Sequence, residues 1–329
     1  MTTLENSSAP TAEQLYKSSI IIDGCAPVLL QDILEWKRFY ESGVTAIFST
    51  VTTSDDAPET VSRISQFLRL IDQNPDKLRL VSEVGDFHAA KSNGQLGLVF
   101  QFQNARPIGR DLGMLDVYRR LGVQVIQLTY NYRNQLGDGC LEANDAGLSK
   151  FGLDAVDRMN DLGILVDLSH TGERTTLDAM EKSTKPDVFS HANAKAVYDH
   201  PRNLTDTQIK AVAEKNGLVG VNAFPGFIND QPRPTVEDLI KHLDYMVNLV
   251  GIDHVALGVD FFHDSGWLTN IELGNWTKKD WPAPPWHYPL DGANTVDFVR
   301  ALLEVGYQAS DVEKIMGVNF MRVLSEVWN

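Results

Sequence analysis

Ile164-Leu165-Val166-Asp167-Leu168-Ser169-His170 and, one apolar run later, Val188-Phe189-Ser190-His191 decide how this chain is read. Each is a run of strand length, rich in β-branched and aliphatic residues, and each finishes on a histidine. A helical pattern over 173–183 separates them, so the pair reads as strand, helix, strand, the unit of a parallel sheet. The rhythm continues outward in both directions. Upstream stand Ser19–Asp23, Val44–Thr50, Gly97–Phe102 and Val123–Thr129; downstream stand Gly217–Asn222 and His254–Val259. These make eight runs with the opening pair, and Leu78–Val81 is a minor ninth. Helical patterns over 29–41, 58–72, 111–121, 147–162, 206–215 and 235–250 lie between them, several opening on Ser, Thr or Asp as N-cap. Eight alternations predict an α/β fold closed as a (β/α)8 TIM barrel. A doubly wound sheet would instead carry a Gly-rich phosphate turn after its first strand, and Asp23-Gly24-Cys25-Ala26-Pro27 is not one.

The 329 residues show no fixed-period repeat and no Ser/Gly or Pro/Gly linker, so a single domain over 1–329 is expected. The stretch 264–291 breaks the rhythm with Trp267, Trp276, Trp281 and Trp286. It reads as an ordered excursion, either a lid over a pocket or packing for the barrel flank. Helical patterns follow over Thr295–Val305 and from Ala309 onward, the latter with a core-facing stripe of Ile315, Met316, Phe320, Val323 and Leu324. The net charge of −15 excludes a phosphate backbone or an anionic membrane as partner. Two cysteines build no disulfide framework, which points to a reducing compartment. The start MTTLENSSAPTAEQ lacks a basic end and apolar run, and no segment reaches the ~20 apolar residues of a membrane span, so the cytoplasm is expected.

In such a barrel, chemistry gathers at the C-terminal strand ends. His170 and His191 close successive runs, and neutral imidazole is the commonest ligand for a divalent transition metal. A catalytic zinc takes three protein ligands and keeps one position open. Asp260, closing the eighth run, reads as a ligand, as the acceptor of a proton from metal-activated water, or as a loop cap. Tyr130 and Asn131 could hold a substrate oxyanion, though a turn rich in Asn and Gly also suits any tight loop. Arg202 suits a bidentate carboxylate clamp. Cys25 is a soft metal ligand, a nucleophile or a buried small hydrophobe. Gln103 carries no charge and makes a poor metal bridge. With no His-x-Asp pair on the first run and no carboxylate on the third, a complete two-metal cage is not written here.

Taken together, Val166-Asp167-Leu168-Ser169-His170, Phe189-Ser190-His191, His200-Pro201-Arg202-Asn203-Leu204, Asp253 to Asp260 and Lys314 to Phe320 resemble the renal or membrane dipeptidase family, metallopeptidase family M19, over Ile21 to Trp328. The resemblance implies a (β/α)8 barrel using two zinc ions to cleave dipeptides, including those with a C-terminal D residue. It implies that His170 and His191 serve one metal, that Arg202 clamps the substrate carboxylate and that Asp260 is the acid/base. Where the family has His-x-Asp, a bridging Glu and a polarising His, this chain has Cys25-Ala26-Pro27, Gln103 and Tyr130. One zinc per chain is therefore expected, with Gln103, Asp260 or Cys25 as third ligand. The leading expectation is a dipeptidase-like hydrolase acting on a dipeptide or small carboxylated substrate. A lyase, decarboxylase or isomerase at the same site, and a catalytically silent binding barrel, are the alternatives. A homodimer is expected from the resemblance alone.

Overall fold

A computed structural model describes residues 10–328; the reading of residues 1–9 as free of a secretory leader lies outside them. The strands are β1 (Ile22–Ala26), β2 (Ala46–Thr52), β3 (Leu78–Leu80), β4 (Leu96–Phe102), β5 (Val123–Gln127), β6 (Leu165–Asp167), β7 (Val188–Phe189), β8 (Leu218–Val221) and β9 (Val255–Leu257). All ladders are parallel, in the order β1-β2-β4-β5-β6-β7-β8-β9, a nearly closed (β/α)8 barrel. The minor ninth run is real: β3 pairs with the first half of β4, and β5 takes over from Phe100 onward.

One residue from each of the eight barrel strands faces the axis: Ile22, Ala46, Val99, Val125, Leu165, Val188, Leu218 and Ala256. Phe48 joins them, and the C-terminal segment plugs the barrel floor with Phe320, whose ring centroid lies 4.9 Å from that of Phe48. The opposite faces of the strands, among them Ile47, Phe100, Ile126, Phe189 and Val219, pack against the helices through Phe67, Val156, Met159, Val212 and Met246. Each such burial contributes roughly 1.5–3 kcal/mol. The expected stripe from Ala309 is present, interrupted by one π turn at Lys314–Val318.

The first strand begins later than Ser19–Asp23, because Asp23 does not end it. The Asp23 carboxylate is wholly buried and accepts from the backbone N–H of Val259 (2.8 Å) and of Cys25 (3.1 Å). Together with Asp260 N–H to Cys25 C=O (3.0 Å), that side chain joins the first strand to the segment after β9, where no backbone ladder is formed among the described residues. Cys25 therefore lies inside β1 rather than in a following loop. Three helices escape the periodicity reading: Ala12–Ser18, Gly85–Asn93 and Gly266–Glu272. No helix among the described residues is long and apolar enough to cross a membrane.

Candidate active site

Three strand ends at the barrel mouth adopt left-handed backbone at non-glycine residues: Asn131 (φ 61°), His170 (φ 61°) and Asp260 (φ 58°). Asn, His and Asp tolerate that region better than most residues, but each still costs of order 1 kcal/mol and needs surroundings that hold it. Those surroundings are backbone contacts. Cys140 N–H donates to His170 C=O (2.9 Å), and Leu141 N–H donates to Asn131 C=O (2.8 Å). Gly139 is obligatory between them, since a Cβ there would stand 2.1 Å from the Asn131 carbonyl carbon. His191 is placed by a second close approach. The Ser190 carbonyl turns into the barrel axis, and a Cβ at Gly220 or Gly258 would meet it at 2.1 or 2.0 Å.

Hydrogen bonds fix both ring tautomers. Asn131 donates its Nδ2 to the carbonyl of Asn275 (2.8 Å), which leaves Oδ1 as an acceptor for His170 Nδ1 at 2.7 Å. Ser190 Oγ donates to Asp167 Oδ2 and so accepts from His191 Nδ1 at 2.7 Å. Asp167 is itself held by the N–H groups of Ser169 and Ser190 (both 3.0 Å) and by Gln101 Nε2 (3.0 Å). Each imidazole thus carries its proton on Nδ1 and a lone pair on Nε2, and the two Nε2 atoms face each other 3.0 Å apart. Neither can donate to the other. Burial, with Arg202 nearby, holds both rings well below the ordinary imidazole pKa, so a shared proton does not relieve the contact. A dication held between them would, since the neutral imidazole nitrogen is a common ligand for zinc.

Beside them, one ligand atom each from Cys25, His191 and Asp260 gathers within 4.8 Å, all three residues being buried; His170 is outside that trio. Burial, then Asp260, Asp23 and Asp167, push the Cys25 thiol well above its usual value, a shift that a bound metal would reverse by taking the thiolate. Burial raises Asp260 to about 6, against the lowering influence of Arg202 and of the Asn222 Nδ2 bond at 2.9 Å. Gln103 turns its amide nitrogen, not its oxygen, to Cys25 Sγ (3.0 Å) and to Thr50 Oγ1 (2.9 Å). The donor set suits one soft-to-borderline dication. Pro27 offers no donor atom on its side chain, and Gln103 presents N–H toward Cys25 and Thr50.

Arg202 is buried, at 2% exposure, with its guanidinium 5.3 Å above the Phe227 ring. Its Nη2 donates to the His191 carbonyl (3.1 Å), while Nε has no partner and no carboxylate among the described residues lies in ion-pairing range. Two cavities meet at His170. The larger, about 790 Å³, is lined by Arg202, His200, Lys195 and Cys140; the smaller, about 180 Å³, by Tyr130, Gln103 and Asp260 with several aromatic rings. Tyr130 stacks on the His170 ring at 4.2 Å, and its hydroxyl accepts from Trp276 Nε1 at 2.8 Å. The tryptophan excursion therefore divides: Trp276 and Trp281 wall the smaller cavity, while Trp267 and Trp286 pack behind them.

The structure brings His170, His191, Asp260, Cys25, Gln103, Tyr130, Asn131 and Arg202 to one mouth. The sequence reading missed Ser190, Asp167 and Gln101, which hold the His191 ring. Their only sequence signal is polarity at inward positions of otherwise apolar strands.

Residues 12–281 match the family model for membrane dipeptidase, peptidase family M19, ending short of the Trp328 limit drawn from the motifs. The dipeptidase tcpJ of Claviceps purpurea is 29% identical over 85% of this chain, which spans only 62% of that relative's length. The structure of an amidohydrolase from Pseudomonas aeruginosa superposes with a TM-score of 0.89 at 32% identity, covering 97% of this chain and 99% of that one. A metallo peptidase from Rhodobacter sphaeroides, liganded with a phosphinate mimic of the dipeptide L-Ala-D-Ala, shares the fold at a TM-score of 0.80 and 20% identity, covering 94% of this chain and all of that one. With the histidine pair, the barrel and these matches in agreement, the chain belongs to the membrane dipeptidase family, peptidase family M19, a family of dipeptidase-like metallohydrolases.

Proposed function

We propose that this protein hydrolyses an amide bond in a dipeptide or similarly small carboxylated substrate, using one zinc rather than two. The observation that carries the reading is the pair of Nε2 lone pairs, locked by their tautomers and aimed at each other across 3.0 Å. His170 and His191 would hold the ion, with Cys25 or Asp260, whose ligand atoms gather with that of His191 within 4.8 Å, as the third ligand, and bound there it would supply Lewis acidity to the scissile carbonyl and to an attacking water. The thiolate and the neighbouring Asp260 carboxylate together balance a dication.

This chain's side chains do the rest. Arg202, buried with an unpartnered Nε, receives the substrate carboxylate from the larger cavity. Asp260, on the wall of the smaller cavity, takes the proton lost by the water and returns it to the leaving amine. Tyr130 accepts from Trp276, which frees its own O–H to donate to the oxygen that develops charge. Asn131 acts by positioning: its amide is committed to His170 and Asn275, so it orients the ring rather than touching substrate.

Metal analysis and turnover test this together. About one zinc per chain, cleavage of a panel of L,L and L,D dipeptides, and loss of cleavage in His191→Ala are expected. Two ions per chain would remove the mononuclear reading. A fully loaded sample that cuts no amide but changes the mass of a carboxylated metabolite would replace hydrolysis with the lyase class.

A further inference from the structure

Three groups at the mouth take their orientation from one short piece of the tryptophan excursion, residues 275–281. At its start the Asn275 carbonyl accepts from Asn131 Nδ2 at 2.8 Å. That bond chooses between the two ways the amide can sit. With Nδ2 spent on the carbonyl, Oδ1 faces His170 Nδ1 at 2.7 Å and draws the ring proton there. The turned amide would offer N–H to Nδ1 and drive the proton to Nε2, where no metal can bind. The other neighbour of Oδ1, Cys140 Sγ at 3.6 Å, is a weak donor. In the middle of the piece, Trp276 Nε1 donates to the Tyr130 hydroxyl. At its end the Asp280 carbonyl accepts from His200 Nε2 at 3.0 Å, while His200 Nδ1 accepts from the backbone N–H of Arg202 at 3.1 Å. Burial pushes His200 down to about 4, so the ring stays neutral and makes both bonds. Trp281 stands edge-on 5.5 Å from Phe227, the ring that carries the Arg202 guanidinium.

The piece is itself held from outside the site. Asn275 Nδ2 donates to Ser54 Oγ at 2.8 Å, and Trp267 Nε1 donates to the Trp281 carbonyl at 3.0 Å. Thr277 Oγ1 donates to Asp280 Oδ2 at 2.6 Å and accepts from the Asp280 N–H at 3.0 Å, which aims the peptide units around Asp280. Neither Trp267 nor Thr277 lines either cavity. A cover over the mouth would be served by its rings alone. Here two main-chain carbonyls are each spent on a side chain whose other end orients a functional residue.

We propose that residues 275–281 are a positioning element of the active site, whose docking sets the metal-ready tautomer of His170 and the seat of Arg202 together, with His200 as the relay to Arg202. Coupling of this kind runs both ways. An ion on His170 Nε2 keeps the proton on Nδ1, favours Asn131 Oδ1 as its acceptor and so strengthens the bond to Asn275. The ion and the clamp rest on the function proposed above; the tautomer does not.

Trp267→Phe and Thr277→Val test this, since they loosen the piece without altering a ligand or a cavity wall. Nitrogen-15 shifts of the zinc-free chain read the His170 tautomer, competition with a chromophoric chelator reads zinc affinity, and KM for a dipeptide against its C-terminal amide reads the clamp. Each variant is expected to populate the Nε2–H form of His170, to bind zinc roughly tenfold more weakly, and to bring the two KM values closer together. Variants that melt lower but keep the His170 proton on Nδ1 and zinc affinity within twofold of the parent overturn the proposal and leave the piece as plain packing. A parent chain with the His170 proton on Nε2 overturns it outright. If the variants do not fold, the zinc-loaded parent decides: the ion should slow amide exchange at Asn275, Trp276 and Trp281 more than in the flank helix Val236–Val250, which feels only general stabilisation, and equal slowing overturns the proposal. A parent that binds no zinc and cuts no amide, with variants that lose the Nδ1–H form, keeps the positioning element and loses the hydrolase. A parent that binds zinc and cuts dipeptides, with variants whose tautomer is unmoved, does the reverse.

Discussion

Replacing Ser190 by alanine probes the reasoning most directly, because it leaves every proposed ligand in place. The Ser190 hydroxyl accepts from His191 Nδ1 at 2.7 Å and donates to Asp167, so it makes Nδ1 the protonated nitrogen and Nε2 the free donor. Without it the ring is free to carry its proton on Nε2, where no metal can bind, and Nδ1 loses its partner in a fully buried setting. Groups that orient a metal-ligating histidine are worth roughly 10–100-fold in metal affinity, or about 1.4–2.7 kcal/mol. Asp167 keeps its bonds from Ser169 N, Ser190 N and Gln101 Nε2, so the barrel itself should survive. Competition with a chromophoric chelator would read the zinc affinity, and nitrogen-15 shifts of the metal-free protein would read the His191 tautomer. Zinc affinity within twofold of the parent, in a variant with native melting behaviour, would refute the idea that a carboxylate–hydroxyl–imidazole chain prepares the site.

Other outcomes follow from the same structure. Arg202→Met should raise KM about 10–150-fold for dipeptides with a free carboxylate, the value of a lost charge-assisted hydrogen bond of about 1.5–3 kcal/mol, and change it little for their C-terminal amides; equal effects on both would remove the clamp. Gly258→Ala would place a Cβ 2.0 Å from the Ser190 carbonyl, so calorimetry should show Tm lower by about 1.5–4 °C together with weakened zinc binding. Asp187 is wholly buried, and neither carboxylate oxygen accepts a bond of good geometry. Burial pushes it up to about 8, with Ser183 and Lys215 offsetting only part. Its folded-state pKa is thus raised, so its stabilisation is full below about pH 4 and is lost as pH rises toward 8. Asp187→Asn should therefore melt like the parent near pH 4 and higher than the parent at pH 8, and a difference that stays constant across that range would count against the assignment.

The barrel was legible because each strand carries its own signal, a short β-branched run, and the crossover helices carry theirs. Where one signal was ambiguous, the reading slipped. Asp23 looked like a strand terminator because a carboxylate inside a buried strand is rare, and only the fold reveals Val259 N–H, far along the chain, as its partner. The helix Ala12–Ser18 was open to discovery through its Thr11–Gln14 capping box, whereas Gly85–Asn93 buries only Phe87 and Ala90 and has no stripe to find. At the site, His170, His191 and Asp260 could be named because a barrel concentrates function at strand ends. Ser190 and Asp167 could not, since a serine or aspartate within a strand announces nothing about which ring it will meet. The bond between Trp276 and Tyr130, 146 positions apart, depends on a path through space that no local pattern encodes.

The Asp23 carboxylate has a last consequence. With one backbone bond, from Asp260 N–H to the Cys25 carbonyl, it fastens the opening and closing staves of the barrel, where every other neighbouring pair in the order is sewn by a backbone ladder. That joint is the natural place for the cylinder to part under heat. Cys25 and Asp260 stand on its two sides, so an ion gripped by both would rivet the molecule shut. Stripping the metal should then loosen the whole cylinder along this one line, visible as amide exchange that quickens in β1 and after β9 before it quickens elsewhere.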